Sequence, residues 1–400
     1  MTATRIVRGA TLTAAAAVWV YLALLLWRTS VPAHLHLPHV GEDATFGPRL
    51  VQRARSFERL LDWNWVVATT VSLAAYAVLA QKGGQLANRV RLRPVNAGIV
   101  VGLLTLTVVW AVTLPFAVVA TWWERRHGIS RESYEAVLAG SWLALLSASA
   151  IAFVLLAIAL LLAHRLGRSW WIAAGPLVAA VLLVLQLVSP LLTSIGTHPV
   201  PSPSLRRDIR VLERREHAGA PSVRVDDVSG RTTEANAFSI GVGPTARVII
   251  WNTLLDGRFS RAEVRFVIGH ELGHVARRHV LRGIAWFALL VLPILCVVAL
   301  VADVRRPGTV PLALLVIAVA QLVLLPVRNT ISRRYESEAD WIGLNGTNDA
   351  AAARRLFVGF VSTSLQDPSP PGWVHVLLDD HPTPLQRVEM TRAWQAGRSR

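Results

Sequence analysis

Two histidines four residues apart, with a glutamate directly after the first, carry the strongest chemical signal in this chain: His270-Glu271-Leu272-Gly273-His274. On a helix, side chains at i and i+4 share a face. His270 and His274 can therefore aim their imidazoles at one point, as two ligands of a tetrahedral zinc ion. Glu271 lies one step around the helix and carries the right group for a general base toward water at that ion. The flanking residues Val267, Ile268, Gly269, Leu272, Gly273, Val275 and Ala276 are uncharged, so the helix is expected to be buried. Buried His and Glu groups are costly unless something satisfies them. Gly269 and Gly273 are poor helix formers. Beside the histidines they suggest close approach of another backbone or a substrate, although loose packing accounts for them too.

A zinc site of this kind needs a third protein ligand and one open position. The stretch 332–344, SRRYESEADWIGL, offers Glu336 and Asp340 four apart on one helical face. Glu336 is assigned as the third ligand. Asp340 is assigned as the carboxylate that accepts a hydrogen bond from the distal nitrogen of a ligand histidine and so fixes its tautomer. Glu338 falls on another face and is expected to be solvent-exposed. Alone, the same stretch reads as a charged surface helix with Arg333, Arg334 and Glu336 in ordinary ion pairs; the upstream His-Glu-x-x-His tips the reading.

With these motifs in hand, the chain resembles the type 1 CAAX prenyl protease family of integral-membrane zinc metallopeptidases, with the heat-shock membrane proteases as cousins. The resemblance runs over His-Glu-x-x-His, two hydrophobic spans, then Ser-Arg-Arg-x-Glu-x-x-Ala-Asp. Upstream, 234–238 (EANAF) and 248–255 (VIIWNTLL) are similar to the family's Asn-Ala strand pair. Downstream, 381–388 (HPTPLQRV) is similar to its His-Pro-Pro-x-x-x-Arg segment. The resemblance is clear over about residues 190–392. It implies that His381 donates to the oxyanion of peptide hydrolysis and that Arg387 is a substrate or structural contact. It also implies a barrel of seven helices around a water-filled chamber. Asn236 either orients a substrate backbone beside an edge strand or caps a turn.

The elements that must hold these residues are set by composition. Of 400 residues, 53% are hydrophobic and 16% charged, and mean hydropathy is +0.45. The expectation is a mainly α, polytopic membrane protein of about seven transmembrane helices with a small α+β zinc metallopeptidase domain. A span needs about 20 apolar residues, and seven candidates stand out: 9–27, 65–80, 97–121, 138–163, 172–195, 284–302 and 310–327. This gives a five-span membrane region over 1–196, a first part of the peptidase domain over 197–282, a two-span hairpin over 283–327, and a second part over 328–400. Glu336 then reaches the histidines only if the last two spans form an antiparallel hairpin. The single cysteine, Cys296, lies in an apolar run, which excludes disulfides and cysteine-ligated zinc.

The net charge of +16 does not indicate nucleic acid, because the arginines are spread between spans rather than gathered on one module. They read as topology signals and lipid-headgroup partners. Their distribution favours a multi-pass protein of the cell membrane with the zinc site facing the cytoplasm. The expected partners are the bilayer and a peptide or protein substrate. The alternatives are an inactive scaffold that retains the zinc site, disfavoured by the intact base Glu271, and a transporter-like protein, disfavoured by the lack of a mid-span ionisable residue.

Overall fold

The structure, a computed structural model, describes residues 2–398, with side chains from residue 13 onward. Helices α1 (Thr2–Leu26), α2 (Glu42–Phe46), α3 (Pro48–Arg89), α4 (Pro94–Arg126), α5 (Tyr134–Leu166) and α6 (Trp170–Thr193) come first. A mixed region follows: β1 (His198–Pro199), α7 (Pro203–Glu216), β2 (Ser222–Asp226), β3 (Ala237–Ile240), β4 (Arg247–Trp251) and α8 (Arg261–Ala276). The chain ends with α9 (His279–Val301), α10 (Val310–Thr347), α11 (Ala350–Ser364), α12 (Gly372–Leu377) and α13 (Pro384–Arg398).

Five stretches among the described residues are long and apolar enough to cross a membrane: Pro48–Arg89, Pro94–Arg126, Tyr134–Thr193, His279–Val301 and Pro307–Thr347. Seven were expected. The difference arises because α5 and α6 run on as one apolar stretch, although Gly167 at φ 57° breaks it into two helices. In addition, the first expected span includes only the short apolar helix Thr13–Leu26 among residues with described side chains. The Arg5 and Arg8 side chains that flank it lie outside the described set.

Two expected boundaries disappear. The second span, expected to start at 65, is continuous with the residues before it, in the 42-residue α3. The last span and the segment with Glu336 form the single 38-residue α10, with Pro326 inside it. Hydropathy changes at Arg328, but helix propensity does not, so the backbone runs on through the change.

The four-stranded sheet has the order β1-β2-β4-β3, with β2 and β4 parallel and the other pairs antiparallel. Its apolar residues Val225, Val248 and Ile250 share a core with Val264, Ile268 and Leu272 of α8 and with Leu356 and Val388. Burial of each such side chain contributes about 1.5–3 kcal/mol, so α8 is fixed on both sides. Its start is fixed by a capping box: Glu263 N–H donates to the Ser260 hydroxyl, and the Glu263 carboxylate accepts from Ser260 N–H. A second core, with Leu160, Trp170, Val298 and Val310, sits among the long helices. A cavity of ≈ 790 Å³ opens there, its only polar lining residues being Gln321, Arg328, Ser332 and Tyr335. The rest of that lining is apolar.

Candidate metal centre

Helix α8 brings His270 and His274 together, and α10 crosses it at close range. A Cβ added to Gly269 would lie 3.3 Å from the Gly343 Cα, and one on Gly273 would lie 3.3 Å from the Ala339 Cα. Gly269 and Gly273 thus serve the approach of another backbone, one of the readings the sequence left open. This crossing delivers Glu336 to the histidines.

The Nε2 atoms of His270 and His274 are 3.1 Å apart, and they lie 3.2 and 3.3 Å from the two Glu336 carboxylate oxygens. Ligand atoms bound at about 2.0–2.1 Å around a tetrahedral ion are about 3.3–3.4 Å apart. The cluster therefore matches the spacing of a zinc-type cation. Two further observations agree. Among the described residues, these three form the only group of three or more His, Cys, Asp or Glu that could hold a metal ion. The Glu336 Oε2 atom is also buried with no hydrogen-bond partner, although imidazole nitrogens flank it. A cation would supply the partner it lacks.

Asp340, one turn beyond Glu336, accepts from His270 Nδ1 at 2.8 Å, as expected. The Arg387 guanidinium grips Asp340 with two bonds of 2.8 and 2.6 Å and packs over the Phe357 ring. Burial works to strip the proton from His270, but Asp340 and Glu336 outweigh it and push its pKa up to about 10. That is the charge balance a divalent ion can take over from a proton. Glu271 is buried, at 6% exposure, on the same helix.

His381 arrives from the loop before α13. Its Nε2 is 3.2 Å from Glu336 Oε2, and its Nδ1 is 2.6 Å from Asp380. Burial disfavours the charged ring, but Glu336 and Asp380 hold the pKa above the ordinary imidazole value. Asn236 is exposed just before β3, an edge strand that packs against α8. Its own side chain accepts from Ala237 N–H at 2.8 Å.

Glu338 corrects an expectation. It is 0% exposed rather than solvated. It accepts from Arg277 Nε (2.8 Å), Arg282 Nη1 (2.9 Å) and Ser30 N–H (2.7 Å), and it lies 3.1 Å from His279 Nε2. The helical wheel placed it correctly off the Glu336 face. The opposite face, however, meets α9 and the end of α1 rather than water.

Behind α8, Glu216 is wedged between Gly269 and Gly346, with both carboxyl oxygens buried and without hydrogen-bond partners. Burial pushes its pKa up to about 9 from 4.5. The unfolded chain releases this proton near 4.5, while the folded chain keeps it to about 9. Its contribution to stability is thus complete below 4.5 and is lost as pH rises through that window. Glu216→Gln cannot ionise and should be more stable than wild type by about 3 kcal/mol at pH 7, with little difference at pH 4. Denaturant melts of both proteins in detergent at pH 4, 7 and 8 check this; parallel pH profiles would refute it.

The architecture is a body of long apolar helices and a small sheet, with a helix-borne His-Glu-x-x-His and a carboxylate delivered by a second helix. Residues 199–395 match Peptidase family M48. The crystal structure of S. mikatae Ste24p has the same fold, with a TM-score of 0.73 at 16% identity over 93% of this chain and 95% of that one. Among curated proteins, the uncharacterized metalloprotease YhfN of Bacillus subtilis (strain 168) is 27% identical over 57% of this chain. A CAAX prenyl protease 1 homolog of Oryza sativa subsp. japonica is 23% identical over 56%. The chain spans 57% and 51% of the lengths of these two relatives.

Proposed function

We propose that this protein is an integral-membrane zinc metalloendopeptidase that hydrolyses peptide bonds in membrane-associated or membrane proteins. The observation that carries the reading is the convergence of His270, His274 and Glu336 at tetrahedral ligand spacing, with Glu271 buried beside them. One zinc ion per chain would be held by these three residues; when bound, it supplies Lewis acidity and water acidic enough to ionise near neutral pH. Glu271 takes the proton of the attacking water and passes it to the leaving amine. His381 donates to the carbonyl oxygen as that atom gains charge. Asp340 keeps His270 in the tautomer with a free Nε2 lone pair. Arg387 takes the structural half of the role the resemblance implies, by holding Asp340. The unpaired edge of β3, entered at Asn236, takes a substrate strand by backbone pairing. The test uses protein purified in detergent, a quenched peptide and an unfolded protein substrate. A chelator should abolish cleavage and zinc should restore it; cleavage that survives stripping of metal overturns the reading.

The zinc domain is proposed to face the cytoplasm of the cell membrane, from the distribution of basic residues. The turn between α9 and α10 then lies outside. Arg306, whose side chain is 80% exposed there, should as Arg306→Cys react with an impermeant thiol reagent on intact cells. Arg392→Cys, on exposed α13 surface, should react only after lysis. The opposite pattern reverses the orientation.

A further inference from the structure

The two candidate ligand histidines are held by different partners. His270 has Asp340. The Nδ1 of His274 is 2.9 Å from the Nδ1 of His279, whose Nε2 is 3.1 Å from Glu338. We propose that His279 and Glu338 are positioning residues for His274, forming a second orienting chain that runs from the end of α1 to the metal centre. This rests on the zinc reading above.

The direction of each hydrogen bond follows from the acceptors. Glu338 already takes N–H groups from Arg277, Arg282 and Ser30, and as a carboxylate it can only accept. His279 therefore donates from Nε2, which leaves its Nδ1 as the acceptor of a neutral ring. His274 must then donate from Nδ1, which frees its Nε2 lone pair toward Glu336 and a cation. The reverse order would put a proton on His274 Nε2, where it blocks coordination.

The backbone is bent to make this contact. Five residues after His274, a continuous helix would carry its side chain about 140° around the axis. Instead α8 ends, Arg278 adopts a left-handed conformation at φ 53°, and α9 begins at His279. A non-glycine residue held there costs of order 1 kcal/mol. The His279 ring is also fixed by stacking on Tyr335, with centroids 4.5 Å apart and planes 6° from parallel. Tyr335 and Arg282 in turn bond the Leu26 carbonyl at 3.3 and 2.7 Å. The chain from Ser30 through Glu338, His279 and His274 is thus continuous.

The test uses full-length protein in detergent, with two readouts: zinc affinity by chelator competition, and the visible d–d spectrum of the cobalt-substituted protein. His279→Phe keeps the stack on Tyr335 but removes both nitrogens; zinc affinity should fall about 10–100-fold and the cobalt bands should shift. His279→Asn puts an amide oxygen where Nδ1 was and should recover most of the affinity. Glu338→Gln, close to isosteric, should shift the cobalt bands in the same direction as His279→Phe and keeps the test open if that variant does not fold. Wild-type affinity and an unchanged spectrum in His279→Phe overturn the proposal, as does equal loss in the Phe and Asn variants. His274→Ala is run alongside: if it too keeps zinc, the metal reading itself has failed rather than this extension of it.

Discussion

Replacing Glu271 by glutamine should leave zinc binding intact and reduce peptide hydrolysis by about 10²–10⁴-fold. The amide matches the carboxylate in shape but cannot accept the proton of the attacking water. Glu271 is not among the three residues that converge at ligand spacing, so the metal has no reason to leave. The side chain is buried, and the neutral amide lowers rather than raises the cost of that burial. Metal content and turnover are measured on the same preparation. A Glu271→Gln protein that retains zinc and cleaves at the wild-type rate would falsify its role as base. Loss of zinc together with activity would instead make Glu271 part of the binding site.

The second large effect is on the metal itself. His274→Ala removes one of three converging ligands and should strip the protein of zinc during dialysis against a mild chelator. Asp340→Ala keeps all three ligands and should weaken affinity by about 10–100-fold, because His270 loses its tautomer constraint. The ordering is the informative part: the ligand variant must lose more than the supporting one. Asp340→Ala also leaves Arg387 buried without its two-bond partner. A loss of stability on the order of 3–5 kcal/mol should accompany the metal effect, read as a lower denaturation midpoint of the metal-stripped protein. Full zinc occupancy in His274→Ala would sink the assignment of the centre.

Much of this centre was legible from spacing alone. The i, i+4 pairs His270/His274 and Glu336/Asp340 each lie within one helix, so helical periodicity is enough to say which side chains share a face. Their meeting across two helices rests on chemistry, since two imidazoles and a carboxylate complete a known ligand set. Glu338 was misread because its partners are remote: Arg277 and Arg282 are 61 and 56 positions away, and Ser30 is 308. No local pattern marks the face that meets them. His279 was missed for a different reason. In an unbroken helix it would point away from His274, and nothing in the run Val275 to His279 marks Arg278 as left-handed. The extents of α3 and α10 were hidden because hydropathy was used to bound spans, and hydropathy follows the solvent rather than the backbone. Arg387 could be located by resemblance to a family segment, yet its pairing with Asp340 could not.

The continuity of α10 has a mechanical side. From Val310 to Glu336 the helix extends about 39 Å at 1.5 Å per residue. A rigid rod of that length pivoting by about 3° at Val310 would swing the carboxylate by about 2 Å, whereas ligand distances must hold within about 0.2 Å. The rod therefore needs a collar near its working end. The contact of Ala339 and Gly343 with Gly273 and Gly269 is suited to be such a collar, because the two backbones approach closely there. With that collar in place, a tilt at the far end would be taken up along the shaft, and the gauge between carboxylate and imidazoles would hold.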